Sequence, residues 1–228
     1  MLTVHPVPTL SSALSALIIS SCFIGLTLSK DVYEGNPRRD FFLYYTNLSN
    51  LAVLLYFSFL APPLYPQRLP VLIRSCLEFG VAMCILLTHV VFHFMILPHV
   101  GRYTRQADSP QDLRIMAANT VFVHYIVPWL TLFYWLVCST DKHRVPLLTA
   151  LIWPLFPAIY AAMIFLRARS RRNIPGLQSP YPYPFLDVDA HGMPRVLAHC
   201  AALFLGCAAF SCALLLVMRS LFALSCGG

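Results

Sequence analysis

Two residues of this chain have the types and the placing for nucleophilic hydrolysis. Thr46 and His124 lie at matching depths in two apolar segments, and neither a hydroxyl nor an imidazole has a cheap reason to be in hydrocarbon. A threonine hydroxyl is a weak nucleophile until a base takes its proton. Neutral His124 can take it, provided a ring nitrogen comes within about 3 Å of the hydroxyl. The imidazolium then needs a partner, and no aspartate lies inside an apolar segment. Asp187, His93 and Asn119 are the candidates for that orienting role.

Attack on an ester carbonyl also creates an oxyanion, which needs hydrogen-bond donors. In an unbroken membrane helix the backbone N–H groups are already bonded, so side chains must serve. Thr46, Ser49 and Asn50 are spaced i, i+3 and i+4 and share one helix face. Asn50 is therefore the first oxyanion candidate and Ser49 the second. Asn47 sits about 100° away around the helix. Hydroxyl and amide side chains in such segments also serve as interhelical hydrogen-bonding glue, which is the plainer reading of Ser49 and Thr120.

The histidines permit another chemistry. His89 and His93 are four apart on one helix face, and with His124 and His199 they make a possible four-histidine metal or haem site. No H-E-x-x-H motif accompanies them, and Glu78, the nearest carboxylate in sequence, is about three turns away. The expected cofactor is therefore none.

The elements that must position these groups are membrane helices. Of the 228 residues 58% are hydrophobic and only 11% charged, too few charges to cover a soluble domain of this size. About 20 apolar residues of helix cross a bilayer core, and six segments qualify: roughly 9–29, 41–61, 71–97, 119–138, 146–166 and 194–218. Breakers or charges bound them, such as the KDVYEGNPRRD run after the first. The expectation is an all-α, multi-pass bundle, one six-helix transmembrane domain over 1–228. The fifth span holds Pro146, Pro154 and Pro157 and is expected to kink. The first lacks the basic flank and cleavage site of a signal peptide and reads as a retained span.

Of the 16 lysines and arginines, eleven fall on the connections 1–2, 3–4 and 5–6 and five on the face that carries the termini. That excess favours a cytoplasmic face for those three connections and fits contact with anionic headgroups. No basic helix or aromatic-interleaved stripe outside the spans offers a nucleic-acid surface. The eight cysteines form no C-x-x-C pair and read as small apolar residues. Thr46, His124 and His199 are each the sixth residue of an inward-running span, roughly 8 Å below its start, and His89 and His93 fall at the same end of span three. An N-L-S acceptor triplet at Asn47 lies inside a span, out of a glycosyltransferase's reach.

The same residues carry a resemblance. Y-x-T-x-x-S-N runs from Tyr44 to Asn50, H-x-x-x-P from His124 to Pro128, and Y-P-F-L-D from Tyr183 to Asp187. In this order, over about 41–218, they resemble the androgen-induced-gene family of ADTRP-like proteins, most closely its shorter bacterial-type relatives, which share the S-N pair. The resemblance implies a membrane-embedded hydrolase of fatty acid esters of hydroxy fatty acids. The family's nucleophilic threonine would fall on Thr46 and its histidine on His124. The animal members carry other residues at Ser49 and Asn50, and different ones after the histidine, where this chain has Tyr125 and Ile126.

Residues around the pair give the substrate its route. Tyr183, in a proline-stiffened loop suited to the headgroup level, Arg195, able to pair with Asp187 or attract a carboxylate, and His199 are candidates for substrate access. The sequence thus reads as a threonine-dependent carboxylic ester hydrolase in an endomembrane or the plasma membrane, acting on a lipid ester among membrane lipids. The alternatives are a small-molecule or ion transporter, a His-ligated metal or haem protein, and a non-catalytic scaffold.

Overall fold

The computed structural model describes residues 8–29, 39–61, 69–98, 109–174 and 177–226, and among them there is helix and no strand. Helix α1 runs Pro8–Thr27 and α2 Tyr45–Phe59, the latter preceded by a 3₁₀ turn at Arg39–Leu43. Helix α3 covers Val71–Ile96, α4 Pro110–Cys138, α5 Thr149–Ala168 and α6 begins at Met193 and ends at Cys226. All but α2 are long and apolar enough to cross a membrane, so the chain is a helical, multi-pass membrane protein. Large apolar side chains face outward, for example Phe94, Ile159 and Leu224. In water such a surface would aggregate; against acyl chains it is the correct one.

Three helices depart from their expected bounds, and the simplest case is α6, which runs on to Cys226, eight residues past the expected end at 218. The 15 residues of α2 rise about 22 Å, short of the roughly 30 Å of a bilayer core. Tyr44 is extended, and the carbonyls of the preceding turn are taken from elsewhere. Asn47 Nδ2 donates to Phe41 O at 2.9 Å and the Tyr160 hydroxyl to Leu43 O at 2.6 Å. With its acceptors satisfied sideways, the turn does not need to continue as α-helix. Helix α4 starts nine residues earlier than the apolar run at Asn119. Ser109 caps it by accepting from the Asp112 N–H, and Pro110 occupies the first turn. Apolarity locates the lipid, whereas caps locate the helix end.

Helices α1 to α4 pack around Ile18, Val53, Phe57, Ile85 and Val127, while α3 to α6 enclose a second core with Phe79, Trp135, Trp153, Ile164 and Leu215. Helices α3 and α4 belong to both, and Tyr45 of α2 also packs into the second. The expected kink in α5 falls at Trp153–Pro154, where Trp153 Nε1 donates to Ser211 Oγ of α6 at 2.8 Å. Helices α1 and α4 pack close together at Gly25, where an added Cβ would lie 2.7 Å from Val123 Cγ1. Asn119 Nδ2 donates to the Gly25 carbonyl at 2.7 Å and locks that crossing next to His124.

Candidate active site

Thr46 is the second residue of α2, so its backbone N–H belongs to the first turn and has no helical acceptor. It donates instead to the Tyr183 hydroxyl at 3.3 Å. The Thr46 carbonyl is held from two sides, by Ser49 Oγ at 3.0 Å and Asn50 Nδ2 at 2.8 Å. Asn50 Nδ2 also donates to the Val123 carbonyl at 3.2 Å, which joins α2 to α4 one residue before His124. Both acceptors are carbonyls, so this amide has one possible orientation. The S-N pair after the threonine is a positioning device.

His124 lies in a π-helical turn, Phe122–Ile126. The cause is Pro128, four residues on. Proline lacks the N–H that would bond the His124 carbonyl, and in a regular α-helix its ring would clash with that carbonyl. The wider turn swings the carbonyl aside, where His89 Nδ1 donates to it at 2.8 Å. Helix α3 repeats the arrangement with a π turn at Phe92–Ile96, ending two residues before Pro98 as the other ends two before Pro128. The two turns meet, and Phe92 stacks on the His124 ring at 3.8 Å between centroids.

Thr46 Oγ1 is 3.3 Å from His124 Nε2. On the other side of the ring, Nδ1 is 3.3 Å from the Thr120 carbonyl. A carbonyl only accepts, so Nδ1 carries the proton and Nε2 presents its lone pair to the threonine hydroxyl. That is the tautomer a general base needs. The distance is at the loose end for a hydrogen bond, and such contacts tighten when substrate arrives. No family model, curated protein or solved structure matches this chain.

Asp187 does not orient His124: its oxygens accept from Ser179 Oγ at 2.8 Å and from the Ala190 N–H at 3.0 Å, capping the short helix Val188–His191. His93 Nδ1 pairs with the Tyr125 hydroxyl at 3.2 Å, and Asn119 serves Gly25. The Thr120 backbone carbonyl takes the orienting role instead. Asn50 has both its usable donations on carbonyls and is not free to bind an oxyanion. Ser49 bonds Thr88 Oγ1 across to α3 at 2.7 Å as well as Thr46 O. Arg195 is exposed at the start of α6; His199 is half-buried, with Nδ1 lacking a partner. The histidines form no metal cage: among the described residues no three His, Cys, Asp or Glu converge on a point that could hold an ion.

Tyr183 is not merely near the approach to the site; its hydroxyl is 3.4 Å from Thr46 Oγ1. The proline-stiffened loop folds it inward, and Phe185 stacks on it at 5.5 Å. Burial pushes its phenol above the usual tyrosine range, so it stays protonated. Spacing alone could not reveal this contact, since Tyr183 lies 137 residues from Thr46. The role of Pro128 was legible in H-x-x-x-P, because four residues is the helical donor interval.

Beside Thr46 a cavity opens between α3, α5 and α6, with about 760 Å³ of empty space when the open space outside it is included. Its walls are almost wholly apolar, among them Leu87, Pro157, Ala161, Leu203 and Phe204. Thr46, Thr88, Tyr45, Tyr160 and Tyr183 supply hydroxyls at its surface. A space with this lining suits a flexible hydrocarbon chain with one polar function placed at Thr46.

Proposed function

We propose that this chain is a membrane-embedded hydrolase of lipid esters, with Thr46 as nucleophile and His124 as base. Fatty acid esters of hydroxy fatty acids are the substrate class that the sequence resemblance implies. The observation that supports this reading best is the Thr46–His124 contact at 3.3 Å together with the locked Nδ1 proton. The apolar cavity beside the hydroxyl supports an acyl chain over a polar substrate. In this reading α2 and the 3₁₀ turn before it form a sixth crossing. Five residues at about 2.0 Å and 15 at about 1.5 Å together reach roughly 32 Å.

The steps follow from these residues. Thr46 Oγ attacks the ester carbonyl carbon while its proton passes to His124 Nε2. The tetrahedral adduct collapses, the bond to the alcohol oxygen breaks, and Nε2 returns the proton to that oxygen. Water then attacks the acyl-threonine by the same route and releases the fatty acid. Throughout, the Thr120 carbonyl holds the imidazolium by its Nδ1–H. A carbonyl dipole is a weaker partner than a carboxylate, so the dyad suits an ester better than an amide, whose leaving group is poorer.

The deciding experiment compares wild type, Thr46→Ala and His124→Ala over a panel of lipid esters in bilayer nanodiscs, with fluorophosphonate labelling in parallel. Hydrolysis and labelling are expected in wild type and lost in Thr46→Ala. Labelling that survives Thr46→Ala would remove the reading.

A further inference from the structure

We propose that Tyr183 is the oxyanion donor of this site, its hydroxyl held for that task by the free first-turn N–H of α2. The assignment rests on the Thr46–His124 reading and adds the group that the dyad lacks.

The supply of donors around Thr46 points to Tyr183. Asn50 and Ser49 are committed to carbonyls, and the only unpartnered atom of Asn50 is Oδ1, which cannot donate. Tyr160 lines the same cavity, but its proton is on the Leu43 carbonyl at 2.6 Å. Tyr183 differs from all three. Its oxygen accepts the Thr46 N–H at 3.3 Å, which leaves its own hydrogen for another acceptor. In the resting site that acceptor is Thr46 Oγ1, at 3.4 Å, whose own proton faces His124.

Reaction changes which oxygen needs the hydrogen. When Thr46 Oγ bonds to the acyl carbon, the carbonyl π pair moves onto the carbonyl oxygen, one bond beyond the new linkage and beside the phenol. The Tyr183 hydrogen then bonds the strongest acceptor within reach. No proton is transferred: the high-lying phenol keeps it, and the pair returns to the carbonyl when the leaving oxygen departs with the proton from His124 Nε2. The N–H behind the phenol polarises it and strengthens the donation. That N–H also stands at the positive end of the α2 dipole, where negative charge is favoured. Little rearranges during the reaction, because Phe185, Tyr44 and Tyr160 already pack the ring in place. Preset donors of this kind act where charge develops and not on the ground state.

The test uses full-length protein in nanodiscs and the variant Tyr183→Phe, which keeps the ring and removes the donor. The expected loss is about 10²–10³-fold in kcat with KM nearly unchanged. An acyl trifluoromethyl ketone adds to Thr46 as a tetrahedral hemiketal, so its affinity should fall by the same factor as kcat/KM. A non-hydrolysable ether analogue forms no oxyanion and should bind both proteins equally. Wild-type kcat in Tyr183→Phe, or an equal loss for ketone and ether, would overturn the proposal. If Tyr183→Phe does not fold, 3-fluorotyrosine at position 183 supplies a stronger donor of almost the same shape. It should tighten ketone binding, and unchanged binding would count against the assignment. Loss of the dyad reading looks different: fluorophosphonate labelling then persists in Thr46→Ala whatever Tyr183 does.

Discussion

At the Thr46 end of the bundle nearly every buried polar atom among the described residues has a well-formed hydrogen bond, whereas around Glu78, near the other end of α3, four buried oxygens lack one, although Tyr56 and Ser139 face the Glu78 carboxyl and Ser15 faces Tyr134. The four are Ser15 Oγ, Tyr56 OH, Glu78 Oε1 and Thr131 Oγ1, one from each of α1 to α4. At the first end the exceptions are Asn50 Oδ1 and His199 Nδ1. A buried group left wholly unpartnered costs about 1–3 kcal/mol, and in the Glu78 region loosely aimed polar neighbours offset that cost together with nearby charges. Charges at its rim supply a field: Arg74 pairs with Asp141 at 3.1 Å, Arg144 lies 3.5 Å from the same carboxylate, and Lys142 bonds the Leu136 carbonyl. Burial lowers the affinity of Lys142 for its proton, while Glu78 raises it. One region is held by hydrogen-bond geometry and the other by electrostatics without fixed direction. Geometry is what a reaction needs; a field is enough to hold helices together.

That contrast can be broken most severely at the dyad. Thr46→Ala and His124→Ala are expected to lower kcat by about 10⁴–10⁶-fold, as loss of one member of such a unit does, with little change in thermal unfolding. Assays with and without detergent, paired with melting curves, would measure both. Next comes Pro128→Ala, which restores an N–H to compete with His89 for the His124 carbonyl. Straightening the π turn should move Nε2 by about 1 Å and reduce kcat by about 10²-fold. Activity unchanged in this variant would remove the proline from the account.

Gly25→Ala should act through packing. The new methyl meets Val123 beside His124, and overpacking of this kind costs about 1–3 kcal/mol. A lowered melting temperature and a partial loss of rate are expected together. Glu78→Gln should have the smallest effect on hydrolysis, leaving kcat within about twofold while lowering the melting temperature by a few degrees, about 2–4 °C per kcal/mol at this size. A large fall in kcat would mean that the two regions are coupled and sink the comparison. On the alkaline side, the raised Tyr183 phenol predicts no loss of activity from this group below about pH 10, the ordinary tyrosine value. A rate profile from pH 7 to 11 checks the sign.

The pairing of Thr46 with His124 was readable from depth along apolar runs, although neither helix begins where its run does. Thr46 is in the first turn of α2, and His124 is fifteen residues into α4. Hydropathy reports what touches lipid, and it is blind to a cap such as Ser109 or to a turn held by Asn47 and Tyr160. The assignment of Asn50 to the oxyanion failed for a related reason. An amide counted as free in sequence turned out to face two backbone carbonyls, and only the packing of α2 on α4 reveals them. Asp187, one of three orienting candidates, drops out because a carboxylate in a loop looks available until its own loop claims it.

The greasy walls of the cavity carry a kinetic corollary. A hydroxyl reached by way of hydrocarbon meets its ester already dissolved in the leaflet, and the released fatty acid departs sideways into the same sheet. Turnover should then track the mole fraction of ester among the lipids, and adding inert phospholipid at fixed bulk concentration should slow the reaction by simple two-dimensional dilution.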